Sequence, residues 1–173
     1  MSNTLLMLFH PDLAQSRVNS SLAAAAMEIS GVEVVEYQHH EIDIATECER
    51  LLAADRIVWQ FPLQWYSTPP QLKSWQDRVL TTLFYLQPQL GQQLAGKPLL
   101  VVATAGNDQT AYHAAGDNLF PLTTLLNPLQ ATANRCALRW EEPFLVYRAN
   151  RLSEEDLTQQ AQRYQQRLRQ WIG

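Results

Sequence analysis

The chain has 173 residues, 46% of them hydrophobic and 17% charged, with a net charge of −4. That is the size of one domain with room for a sizeable core, and the negative balance gives no electrostatic reason to expect a nucleic-acid partner. Two cysteines, Cys48 and Cys136, make neither a disulfide framework nor a CxxC centre and suit a reducing cytosol. No apolar run approaches the roughly 18 residues of a membrane span, and the N-terminus lacks the basic region of a signal peptide. With no repeat and no low-complexity linker, the chain reads as a single cytoplasmic domain over 1–173.

Residues 4–9 (TLLMLF) are a compact apolar run, the pattern of a strand buried on both faces. A polar loop leads into a helix over 17–29, which Gly31 is placed to terminate. A second strand spans 32–37, a short helix 46–54 and a third strand 56–61. The next helix covers 70–83, with Pro69 and Pro70 near its start, where a missing N–H costs least. A fourth strand follows over 98–103. Residues 119–137 read as mostly helical, interrupted at Pro121 and Pro128, and a fifth strand covers 142–147. Ser153 with Glu154, Glu155 and Asp156 is an N-cap and acidic first turn for the last helix. This alternation predicts an α/β fold, a parallel sheet covered on both faces. Five strands fit the doubly wound, flavodoxin-like order 2-1-3-4-5, in which ligands bind at the carboxyl ends of the strands.

Three loops at such ends carry unusual residues. In HPDLAQSRVN, backbone amides at a helix start, with Ser16, Arg17 and Asn19, suit a phosphate; an N-cap with a solvated arginine is the plainer alternative. In QFPLQWYSTPP a flat conjugated ring can stack on Trp65 or lie against Leu63, its polar edge meeting backbone N–H groups and the Gln64 amide. The plainer alternative is an apolar patch under the following helix. In ATAGNDQTAYH, Thr104 to Asn107 can wrap a ligand, and Tyr112 or His113 can donate a proton; a surface turn is again the alternative. His39 and His40 read as solvated turn residues, and neither HExxH nor GxSxG occurs.

Together these loops make the chain similar, over nearly its whole length, to the NAD(P)H:quinone oxidoreductase family of flavodoxin-like proteins. The resemblance is strongest at QFPLQWYSTPPQLKSWQDRV. PLQATANRCALRW and RYQQRLRQW resemble a narrower branch, the ancillary proteins of glutathione-regulated potassium-efflux systems. It implies a flavin bordered by Pro62, Leu63, Gln64, Trp65 and Tyr66 on one side and by Thr104, Ala105, Gly106 and Asn107 on the other. It further implies a phosphate held by Ser16, Arg17 and Asn19 with His10 close by. Tyr112 falls where the family has a tyrosine implicated in hydride transfer. The resemblance implies NADH or NADPH as donor, a quinone-like acceptor, a homodimer with the site at its interface, and a potassium-efflux antiporter as partner. FMN is preferred to FAD, because no segment cradles an adenine. The chain departs from the family at Ala105 and Asn107, at Asn118 where a partner histidine falls, and in the glycine-poor stretch LFYLQPQLGQQLAG. The intact aromatic loop favours the enzyme; the departures favour a regulatory subunit of the antiporter with little redox activity. A flavodoxin-like electron carrier is the weaker third reading, because flavodoxins are generally more acidic and lack the FPLQWY loop.

Overall fold

The computed structural model describes residues 3–38 and 42–173; His39 and His40 lie outside them. Strand β1 (Thr4–Phe9) is flanked by β2 (Val32–Tyr37) and β3 (Arg56–Pro62), and β3 by β4 (Pro98–Thr104), all parallel. Alternation along these strands divides the core into two layers. Met7, Trp59 and Val101 face one layer, with Leu72, Trp75 and Leu129. Leu6, Val58 and Leu100 face the other, with Leu22, Tyr164 and Leu168. The latter layer is covered by α1 (Arg17–Met27) and α7 (Glu154–Ile172), whose caps are Ser16 and Ser153. The former is covered by α2 (Ile44–Ala53), α3 (Pro70–Trp75) and α6 (Asn127–Arg135).

The expected order 2-1-3-4 is observed, but the last position holds two short segments instead of one strand. β5 (Arg139–Trp140) pairs with Pro98 and Leu99, and β6 (Phe144–Val146) with Val102, Ala103 and Thr104, so the sheet has six strands. The register slips by one residue between them, across Glu141, Glu142 and Pro143. Proline cannot donate to a ladder, and such a bulge belongs at an edge. Four helices differ in their bounds, α2 running over Ile44–Ala53 where 46–54 was expected. α1 stops at Met27, and Gly31, at φ 82°, turns the chain into β2 instead of capping the helix. The helix expected over 70–83 continues past α3 as wide π-helical turns to Leu86, followed by α4 (Pro88–Gly91). Over 119–137, Leu119 is left-handed (φ 60°), Pro121 precedes the short α5 (Leu122–Leu125), and Pro128 sits in the first turn of α6.

Beneath the first loop lies a buried carboxylate. Glu47, 4% exposed, accepts from the Tyr37 hydroxyl, from Trp75 Nε1 at 2.8 Å and from Arg50 at 2.6 Å. Tyr37 stacks on Phe9 at 4.6 Å, and its carbonyl accepts from the His10 N–H at 3.2 Å, so this hub supports the end of β1. Among the described residues no helix is long and apolar enough to cross a membrane.

Candidate functional site

The three loops meet at the carboxyl edge of the sheet. Ser16 caps α1, its Oγ accepting from the Asn19 N–H at 3.2 Å. Asn19 is 2% exposed. Its side chain donates to Thr104 Oγ1 at 3.0 Å, and its carbonyl accepts from Gln60 Nε2 at 2.9 Å. Asn19 therefore ties α1 to β3 and β4, while Thr104 keeps a hydroxyl proton to donate. The Arg17 guanidinium is turned toward α7, paired with Glu154 and donating to the Leu152 carbonyl at 3.1 Å. A cleft of about 300 Å³ opens here between His10, Ser16, Arg17, Pro62 and Thr104. Its remaining wall, Ala149 and Asn150, comes from the loop after β6. Sequence reasoning missed that loop, although it too stands at the carboxyl end of a strand, which is the signal that could have found it.

His10 Nδ1 accepts from the Asp12 N–H at 3.0 Å, and burial lowers the His10 pKa, partly offset by Asp12. The folded state thus favours the neutral ring. The unfolded chain binds the extra proton first, so stability falls as pH drops below the ordinary value of about 6.5. Thermal melts from neutral to mildly acidic pH are expected to fall more steeply for wild type than for His10→Gln. Equal slopes remove His10 from the acid response.

The aromatic loop is a two-residue hairpin. Gln64 and Ser67 exchange two backbone bonds of 2.9 Å, and between them Trp65 (φ 45°) and Tyr66 (φ 62°) are both left-handed. That is the geometry of a type I′ turn, normally built from Asn and Gly. It throws the Trp65 indole into solvent, 94% exposed. The Tyr66 hydroxyl donates to Asn118 Oδ1 at 3.2 Å, tying the hairpin to the third loop. Leu63 N–H bonds the Thr104 carbonyl at 2.7 Å.

The third loop is braced from behind. Ala105 N–H bonds the Val146 carbonyl at 2.8 Å, and the Ala105 and Asn107 carbonyls accept from Ala149 and Arg148 N–H at 2.9 and 3.0 Å. The Ala105 side chain is buried among Tyr112, Leu122 and Leu63. The Asn107 amide oxygen accepts from the Asp108 N–H at 3.0 Å. Tyr112, 9% exposed, packs against Tyr147 with ring centroids 5.6 Å apart. Burial, and then Tyr66, push its pKa above the ordinary value, so the phenol keeps its proton near neutrality. His113 is exposed, its Nδ1 accepting from the Ala115 N–H at 3.2 Å.

Among the described residues none accepts from the backbone N–H of Trp65, Tyr66, Gly106 or Asn107. A Cβ placed on Gly106 would meet only Asn150 Nδ2, at 3.4 Å. The facing loops thus present unspent donors with room before them, beside a cleft at a helix N-terminus. This is the donor set that a flavin's polar ring edge and phosphate need.

The family model described as a flavodoxin-like fold matches residues 2–170. The chain is 36% identical over 171 residues to the glutathione-regulated potassium-efflux system ancillary protein KefF of Klebsiella pneumoniae (strain 342), covering 96% of this chain and 95% of that one. It superposes on an NADPH-quinone reductase from P. pentosaceus with a TM-score of 0.86 and 32% identity, over 95% of this chain and 96% of the other. General stress protein 14 of Treponema denticola, solved in complex with FMN, gives 0.85 and 28% identity over 98% and 97%.

Proposed function

The chain belongs to the flavodoxin-like family, and from that premise we propose that it is a cytoplasmic, dimeric, FMN-dependent NAD(P)H:quinone oxidoreductase that also serves a potassium-efflux antiporter. The observation that carries the redox reading is the convergence of four unpaired amides, on the 64–67 hairpin and the 104–107 loop, beside a phenol that holds its proton. When bound, FMN supplies hydride transfer, serving NADH or NADPH and a quinone-like acceptor in alternating half-reactions. The Trp65 and Tyr66 amides, with the Gln64 side chain and with Gly106 and Asn107, would hold the flavin ring, and Leu63 and Pro62 would supply apolar contact. The α1 N-terminus, Ser16 and the Thr104 hydroxyl would hold the phosphate, with Asn19 fixing Thr104. Arg17 contributes positive charge at the rim while held by Glu154. The Tyr112 phenol, which keeps its proton near neutrality, would serve as a hydrogen-bond donor toward the ring.

The relative solved with FMN and the small phosphate cleft support FMN over FAD. Likeness to an NADPH-quinone reductase supports the reaction, and likeness to KefF supports the antiporter. Exposed Trp65, Leu119 and Phe120 beside the site, at 94%, 59% and 52%, suit cover by a second copy. They also favour the second reading, a docking subunit whose redox turnover is dispensable.

Titration with FMN followed by visible absorbance, then NADH or NADPH with a quinone, tests the redox reading. Micromolar or tighter binding with bleaching by the donor is expected; no flavin binding at that concentration overturns it. Tyr112→Phe is expected to lower turnover by about 100-fold or more with flavin content intact. If that variant still stimulates potassium efflux, docking is independent of turnover.

A further inference from the structure

The N-termini of α1 and α7 are joined by one ion pair, and their first turns are charged in opposite ways. α7 follows the helix dipole: Ser153 caps it, and Glu154, Glu155 and Asp156 fill its first turn. α1 breaks that rule. Its first turn holds no acid and opens on Arg17, a cation at the positive end of a helix. A local preference broken in this way marks a place where something other than the helix decides the residue. Among the described residues lining the phosphate cleft, Arg17 carries the only permanent charge, and no carboxylate lines it. The α1 N-terminus and its arginine thus lack an anion inside the cleft.

Glu154 answers that lack from outside. Arg17 Nη2 is paired with the Glu154 carboxylate, while Nη1 donates to the Leu152 carbonyl at 3.1 Å. The two side chains are 47% and 84% exposed, and an ion pair so open to water is weak. A phosphate monoester brings close to two negative charges and three strong acceptor oxygens, more than one carboxylate offers a guanidinium. The bond to the Leu152 carbonyl does not depend on the carboxylate, so it keeps Arg17 at the rim when Glu154 lets go.

We propose that Glu154 is a stand-in for the flavin phosphate: it neutralises Arg17 while the cleft is empty, competes with a phosphate monoester for the guanidinium, and so weakens FMN binding. This rests on the flavin reading. It makes Glu154 a positioning residue, acting on the cofactor only through Arg17, and it places a control of cofactor affinity on α7, outside the three loops.

The test compares the affinities of the apoprotein for FMN and for riboflavin, which lacks the phosphate, by quenching of flavin fluorescence. Glu154→Gln is expected to tighten FMN about two- to fivefold, and Arg17→Gln to weaken it about tenfold. Riboflavin affinity is expected to be unchanged in both. Glu155→Gln removes the same charge one residue away and is expected to change FMN affinity much less. In the Arg17→Gln background, Glu154→Gln is expected to add nothing. Unchanged or weaker FMN binding by Glu154→Gln overturns the proposal, weaker binding meaning that the carboxylate steadies Arg17 for the phosphate. An equal gain with riboflavin, an equal gain from Glu155→Gln, or a gain that survives without Arg17 overturns it as well. If the wild type binds neither flavin, the flavin reading fails, and calorimetry with inorganic phosphate decides the role of Glu154. Phosphate binding that Glu154→Gln tightens and Arg17→Gln weakens supports it; no binding, or binding that Glu154→Gln leaves unchanged, overturns it.

Discussion

Replacing Trp65-Tyr66 by Asn-Gly is expected to make the protein more stable and less able to bind flavin. Both native residues hold a left-handed backbone, which costs an L-residue about 1–2 kcal/mol apiece and which Asn and Gly adopt readily. Little is lost in return. Trp65 is 94% exposed, so its removal uncovers almost no core, and Tyr66 gives up one hydrogen bond, to Asn118, worth about 0.5–1.5 kcal/mol. A net gain of about 1–3 kcal/mol in unfolding free energy by urea titration is the expected result. The turn and its two free amides persist, but the aromatic wall does not, and FMN affinity is expected to fall at least about tenfold. A variant no more stable than wild type means the hairpin is unstrained. One with wild-type flavin affinity means the aromatic pair serves something other than the ring.

Glu47→Ala is expected to cost about 3–5 kcal/mol, a large share of a domain's stability. The carboxylate answers three donors from three elements, namely Tyr37 on β2, Arg50 on α2 and Trp75 on α3. Removing it strands a phenol and an indole N–H in the core. Tyr37 resists ionisation, through burial first and Glu47 second, so it cannot supply a substitute charge. Because Tyr37 also holds the His10 N–H, the damage reaches the phosphate loop, and flavin affinity is expected to drop with stability. Tyr37→Phe combined with Glu47→Ala is expected to be clearly less destabilising than the sum of the two. Additive losses would show that the three donors do not depend on one acceptor.

Much of this was legible in the residues. Strand–helix alternation indicates the doubly wound sheet, Ser16 and Ser153 mark helix starts, and Pro128 marks the start of α6. Three carboxyl-end loops stand out by composition, and the structure brings them together. Other features left no local trace. A type I′ turn signals itself through Asn or Gly, so Trp-Tyr at its centre conceals it. The break in the edge strand did leave one, the Glu141-Glu142-Pro143 run, across which a single strand over 142–147 was expected. Arg17 looks available from its position in the loop, yet its guanidinium is engaged by residues 135 and 137 positions later, a pairing that no local spacing encodes. The fourth loop, 147–151, carries no aromatic cluster or glycine pair, and only its place at the end of β6 gives it a role.

The solitary position of Trp65 also gives the molecule a built-in light source. Of its five tryptophans, Trp59 and Trp75 are wholly buried, Trp140 and Trp171 are partly covered, and Trp65 alone stands almost entirely in water. Its emission should lie at the red edge of the intrinsic fluorescence and be the part that iodide extinguishes, while the blue-shifted core pair stays dark to the quencher. A second copy arriving at the hairpin would then shield the red component alone, whereas unfolding would drag the blue component red, so one cuvette separates docking from denaturation without a label.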